Sequence, residues 1–138
     1  MQPGAYLTKP LIKICCVQSI AEARTAIKAG ASAIGLVSAM PSGPGVIGEA
    51  LIAEIASAVP APVETVLLTS EQIASRIIEQ HHICRTTTIQ LVDYVEVGEL
   101  VKLRQSLPDI RLVQVIHVVD DASLLEASSV ELYVDAIL

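Results

Sequence analysis

Short apolar segments alternate with amphipathic segments along the whole chain, and no other feature restricts the fold as much. Residues 11–17, 33–38, 63–68, 87–92, 111–118 and 132–138 read as strands, rich in Ile, Val and Leu. Helix signals fall between them. Ser19-Ile20-Ala21-Glu22 is a capping box, in which a hydroxyl and a carboxylate each satisfy a backbone N–H. The helix that it opens puts Ile20, Ala23 and Ile27 on one face and ends at Gly30. A second helix spans about 49–58 and is stopped by Pro60. Thr69-Ser70 is expected to cap a third helix with Ile73 and Ile77 inward. A fourth covers about 97–106, closed by Pro108, and Asp120-Asp121 starts a short fifth. Short connections between alternating strands and helices make a parallel sheet with right-handed crossovers.

The side-chain palette agrees. There is no Phe or Trp, so the core is built from Ile, Val, Leu and Ala, which suits parallel strands buried on both faces. With 52% hydrophobic and 17% charged residues, disorder is excluded. A net charge of -6 argues against a nucleic-acid surface, and stacking aromatics are lacking. Met1-Gln2-Pro3-Gly4 has no basic region before an apolar run, and Lys13 interrupts the first apolar segment. The expectation is a cytoplasmic protein without a membrane span. Three Cys, two adjacent, do not make a disulfide framework.

Two architectures fit residues 1–138 as one domain. One is an open, doubly wound, flavodoxin-like sheet that binds a nucleotide or phosphate, with strand order 2-1-3-4-5. The other is an incomplete (β/α)₈ barrel, five βα units plus a sixth strand in sequential order. The apolar ending Ala136-Ile137-Leu138, with no covering helix, favours the barrel. Its first and sixth strands would be open edges, which invite self-association.

In either architecture the C-terminal ends of the strands hold the chemistry. Lys13-Ile14-Cys15-Cys16 closes the first strand, so the Cys15 thiol is the leading candidate. Cys16 is expected on the opposite face, packed under the first helix. Lys13, if inward, needs a partner such as Glu64. Gln90, Gln114 and His117 are placed near the mouth, His117 as either a satisfied structural histidine or a ligand contact. Gly43-Pro44-Gly45-Val46-Ile47-Gly48 matches a dinucleotide fingerprint, but Pro44 removes a donor that a pyrophosphate would need, so a loop at the barrel mouth is the better reading. His81-His82 at a helix end carries no metal reading, because adjacent His side chains diverge.

Lys13-Ile14-Cys15, a helix, and then Gly30-Ala31-Ser32-Ala33-Ile34-Gly35-Leu36-Val37 resemble the start of phosphoribosylanthranilate isomerase. That family opens with K-I-C-G, a helix and G-A-D-x-x-G-F-V-F. Ile89-Gln90-Leu91 resembles its fourth-strand V-Q-L-H-G. The resemblance implies a cofactor-free Amadori rearrangement of N-(5-phosphoribosyl)anthranilate in tryptophan biosynthesis, so a phosphorylated sugar-amine is the implied small-molecule partner. It implies Cys15 as general base, and Ser42, Gln90 and His117 as substrate contacts. The implied acid is the Asp ending the sixth strand. One register makes Asp135 that acid; the other, favoured by the apolar run Ala136-Ile137-Leu138, puts Asp135 at the strand's start and the acid past Leu138. The chain departs from the family in three places. Cys16 replaces Gly, Val92-Asp93 replaces His-Gly, and the loop Met40-Pro41-Ser42-Gly43-Pro44 keeps the Ser but lacks the Arg that meets the anthranilate carboxylate. The family's phosphate loops follow its last strands, so Met1–Leu138 alone is expected to be inactive.

Overall fold

Six parallel strands pair in strict sequence order: β1 (Lys13–Ile14), β2 (Ala33–Val37), β3 (Glu64–Thr69), β4 (Thr88–Leu91), β5 (Arg111–Gln114) and β6 (Ala136–Ile137). This is a computed structural model that describes residues 9–138. Tyr6 and the Met1–Gly4 leader reading lie outside the described residues. Helices α1 (Ile20–Lys28), α2 (Glu49–Ala58), α3 (Ala74–Cys84), α4 (Val97–Ser106) and α5 (Ala122–Val130) connect successive strands.

All the helices cover one face. Outward Ile34 and Leu36 of β2 and Leu67 of β3 join Ala23 and Ala26 of α1 and Ile52 and Ile55 of α2 in one core. Ile89, Leu91 and Leu112 join Ile77 of α3, Leu100 and Leu103 of α4 and Val130 of α5 in a second. Each large side chain so buried contributes about 1.5–3 kcal/mol. The inner face holds a smaller cluster with no helical member, built on Ala33, Val37, Val66 and Leu68. A doubly wound sheet carries helices on both faces and reverses its strand order. The sequential order 1-2-3-4-5-6 overturns the flavodoxin-like alternative, and it removes the switch point where a dinucleotide would bind. The architecture is a truncated barrel: six strands of a (β/α)₈ wall, lined outside by helices.

Local sequence explains most element limits. Ser19 Oγ accepts the Glu22 N–H at 3.1 Å, and Glu22 Oε2 accepts the Gln18 N–H at 2.7 Å. Gly30, at φ 104, stops α1 as expected. Three expectations need correction. β1, β5 and β6 are shorter than their apolar runs, because β1 and β6 have a ladder on one side only and β6 spans just two residues. The third helix starts at Ala74, not at Thr69-Ser70. The Thr69 hydroxyl instead accepts the Glu71 N–H at 3.1 Å in a local turn. Its first-turn donor is satisfied from another helix, where Glu99 Oε2 accepts the Ala74 N–H at 2.7 Å. Ile73 consequently sits outside the helix and is 57% exposed, whereas Ile77 is fully buried.

Among the described residues no helix is long and apolar enough to cross a membrane. Exposed apolar side chains concentrate where the wall is open. Leu11, Ile12 and Ile14 line the β1 edge, Ile137 and Leu138 the β6 edge, and Leu124, Leu125 and Leu132 the surface around α5.

Candidate active site

Strand alternation sorts the inner-face residues by register. Lys13 aligns with Ala33 and then Glu64; Val66 aligns with Thr88 and Arg111; Leu68 aligns with Gln90 and Val113. Cys15 follows Ile14 at the C-terminal end of β1. Its Sγ stands against Gly35 of β2, where a methyl group would come within 2.8 Å of the sulfur. Cys15 is exposed and free.

Cys16 does not sit under α1. Its φ of 60 is left-handed, and this turns the side chain toward the inner cluster. The Cys16 thiol donates to the Pro44 carbonyl at 3.6 Å, tying the β1 end to the loop after β2. Burial pushes the Cys16 thiol pKa up, and Cys15 adds to this through charge and hydrogen bonding, while Lys13 pulls the other way. The loop is closed at its far end by the Ile47 N–H, which donates to the Val37 carbonyl at 2.9 Å. Ser42 is exposed in this loop.

The Lys13 Nζ donates to Gln90 Oε1, so its partner is an amide on β4 and not Glu64. Glu64 is taken by Arg111, at 2.6 Å across the inner face. Gln90 is buried and lines a cavity of about 620 Å³ on the inner face, with Lys13, Val66, Thr88 and Arg111. Residues preceding the strands also line it (Pro10, Leu11, Pro62), so the cavity extends to the N-terminal end of the wall. Cys15 lines a different space, a groove of about 540 Å³ between the β1 edge and α1.

The His117 ring Nε2 lies 2.9 Å from the Val92 carbonyl, pinning the loop after β5 to the end of β4; the ring is exposed. Gln114 is not at the mouth. It is fully buried on the outer side, its Nε2 donating to the Leu91 and Asp93 carbonyls at 3.2 and 2.9 Å. His81 is buried, with Nε2 2.8 Å from the Thr86 carbonyl, while His82 is exposed, so the two imidazoles do diverge. Among the described residues, no three His, Cys, Asp or Glu side chains gather as a metal site.

Asp135 lies at the start of β6, at the end remote from Cys15. Its Oδ2 accepts the Leu112 N–H and an Arg104 guanidinium N–H, both at 2.8 Å. Burial raises its pKa, but the Leu112 N–H and then Arg104 outweigh that and hold the carboxyl below its usual range. Of the two registers open to sequence reasoning, the structure adopts the one with Asp135 at the strand's start.

The candidate residues are thus a thiol at the end of β1, a lysine–glutamine bridge on the inner face, and Ser42 and His117 in loops; Cys15 and Gln90 line different spaces. Lys13–Gln90 bonding and the Gly35–Cys15 contact escaped sequence reasoning. A bridge between non-adjacent strands has no signature along the chain.

No family model matches the chain, and no curated protein matches it in sequence. Solved structures do. Phosphoribosylanthranilate isomerase from Thermotoga maritima superposes with a TM-score of 0.75 at 18% identity, covering 86% of this chain and 56% of that one. The Pyrococcus furiosus enzyme gives 0.75 at 15% identity, covering 94% and 66%. A phosphoribosylanthranilate isomerase in complex with reduced 1-(o-carboxyphenylamino)-1-deoxyribulose 5-phosphate gives 0.75 at 18%, covering 86% and 59%. The chain therefore spans between about half and two-thirds of the length of these structural neighbours. At such identities the likeness establishes the fold.

Proposed function

We propose that this chain carries the general-base half of an acid–base site that isomerises a phosphorylated sugar-amine, in the manner of phosphoribosylanthranilate isomerase. The observation that carries this reading is the exposed Cys15 thiol at the C-terminal end of β1, in a wall that superposes on that enzyme. In such a reaction an acid opens the sugar ring to a Schiff base. The base then takes the proton from sugar carbon 2, and the enolamine becomes the keto product. Only proton transfers are involved, so no redox cofactor is called for. An ordinary thiol titrates near pH 8.5 and needs a positive neighbour to act as thiolate. Lys13, two residues earlier in the chain, is the nearest cation in sequence, and Gln90 holds its ammonium group.

The acid is assigned to a position after Leu138, because Asp135 is committed to Arg104 and to the Leu112 N–H at the opposite end of its strand. Ser42, Gln90 and His117 are proposed as substrate contacts, with Gln90 acting through Lys13. The missing loop arginine points to a substrate that differs from phosphoribosylanthranilate where the carboxylate would be met. On this reading Met1–Leu138 alone does not turn over substrate.

The test is complementation of a tryptophan auxotroph that lacks this isomerase, by a longer polypeptide extending this chain through the last two βα units. Slow growth that Cys15→Ala abolishes supports the assignment. Growth unaffected by Cys15→Ala removes Cys15 as base, and near-normal growth of the parent removes the altered-substrate reading.

A second reading, self-association, is favoured by the exposed apolar edges at β1 and β6. Sedimentation that shows only monomer up to high concentration would exclude it.

A further inference from the structure

In a regular strand, adjacent side chains leave on opposite faces, which would part the two thiols that end β1. Here the backbone departs from that pattern. The left-handed turn at Cys16 brings its side chain to the inner cluster, on the side where Cys15 meets Gly35. Both residues line the groove beside α1. Two glycines make room for the sulfurs. A methyl group on Gly35 would stand 2.8 Å from Cys15 Sγ, and one on Gly45 would stand 3.0 Å from Cys16 Sγ.

A direct bond between these sulfurs fits poorly. Adjacent Cα atoms across a trans peptide are about 3.8 Å apart, short of the roughly 4.4–6.8 Å that disulfides span. A single atom placed between the sulfurs enlarges the ring and removes the mismatch. Paired thiolates are soft donors that select soft centres. A two-coordinate metal wants its sulfurs on opposite sides, which neighbouring residues supply badly. A pyramidal centre takes them close to a right angle.

We propose that Cys15 and Cys16 form a dithiol clamp for a soft, pyramidal, thiophilic centre of the trivalent arsenical class. With an organoarsenic(III) oxide, two As–S bonds form while the arsenic–oxygen double bond and two S–H bonds break. The oxygen leaves as water with both thiol protons, and no atom is oxidised or reduced. The weak Cys16–Pro44 hydrogen bond is given up. Cys84 does not compete, because burial and Glu49 push its thiol up to about 12. The clamp needs no catalytic role for Cys15.

The intact protein is titrated with phenylarsine oxide and followed by native mass spectrometry and thiol counting. The expected result is one arsenical per chain, loss of two fast thiols, resistance to excess monothiol and release by a dithiol. Cys16→Gly suits the left-handed backbone and keeps the fold, while Cys15→Ser is near-isosteric. Each should bind roughly 100-fold more weakly, as a chelate reduced to one arm. Cys84→Ser should bind as the parent does. Absence of a one-to-one adduct, an adduct joining two chains, or undiminished binding by Cys16→Gly overturns the proposal.

Discussion

Lys13 on β1 and Gln90 on β4 are hydrogen-bonded across the inner face, although two strands lie between them. Only a curved wall allows this contact, so the bond joins parts of the arc that the ladder does not connect directly. Lys13→Ala and Gln90→Ala should be coupled in a double-mutant cycle by about 1 kcal/mol. Urea unfolding of the four proteins measures it. Additive losses would mean that the bridge contributes nothing to stability.

Asp135 ties the foot of β6 to β5 and α4. Its folded pKa lies below the unfolded value, so its contribution is fully present above about pH 4 and is lost as pH falls through the folded pKa. Its side chain is 42% exposed, which limits the gain through solvent screening. Asp135→Asn should cost about 1 kcal/mol at pH 7 and flatten the acid limb of the stability curve. An unchanged acid limb would show that the carboxylate is not held in this way.

Cys84 behaves oppositely. Burial, then the charge of Glu49, pushes its pKa up to about 12. Its contribution is therefore complete below the unfolded thiol pKa of about 8.5 and declines as pH rises toward the folded value. By pH 10 the parent should lose about 2 kcal/mol more than Cys84→Ala loses over the same range. Guanidinium unfolding at pH 7.5 and pH 10 supplies the comparison. Cys84 should also stay unmodified by a thiol reagent until the protein unfolds.

Gly45 and Cys16 test the loop contact from both sides. Gly45 has φ 81, and an added methyl would lie 2.5 Å from Cys16 Cβ. Gly45→Ala should cost about 2–4 kcal/mol through strain and overlap. Cys16→Gly should instead stabilise by about 0.5–1 kcal/mol, because glycine occupies the left-handed region without penalty and the lost packing is small. Thermal unfolding gives both signs.

Sequence patterns revealed the features that depend on neighbours in the chain. The Ser19–Glu22 box located α1, and α2 and α4 begin and end where their periodicity and prolines place them. Features set by distant partners did not show. The apolar run through Leu11 and Val17 reads as one strand, but only Lys13 and Ile14 find a full ladder. The start of α3 depends on Glu99, a residue on the next helix. At the site, Cys15 was legible from its position after a strand. The turn at Cys16 was not, because a cysteine does not announce a left-handed backbone as glycine does. Lys13 clearly needed a polar partner, yet nothing in the sequence distinguished Gln90 from Glu64.

The sequential strand order also governs how the molecule can assemble in time. Each βα unit packs chiefly on the unit before it and the unit after it, so a newly made unit finds its main docking surface already present. Folding can then follow synthesis from the N-terminus, with short loops to close at each step. The same arrangement spreads stability along a line. Amide exchange should be slowest in β3, flanked on both sides, and fastest in β1 and β6, so the wall frays inward from its two ends like a rope.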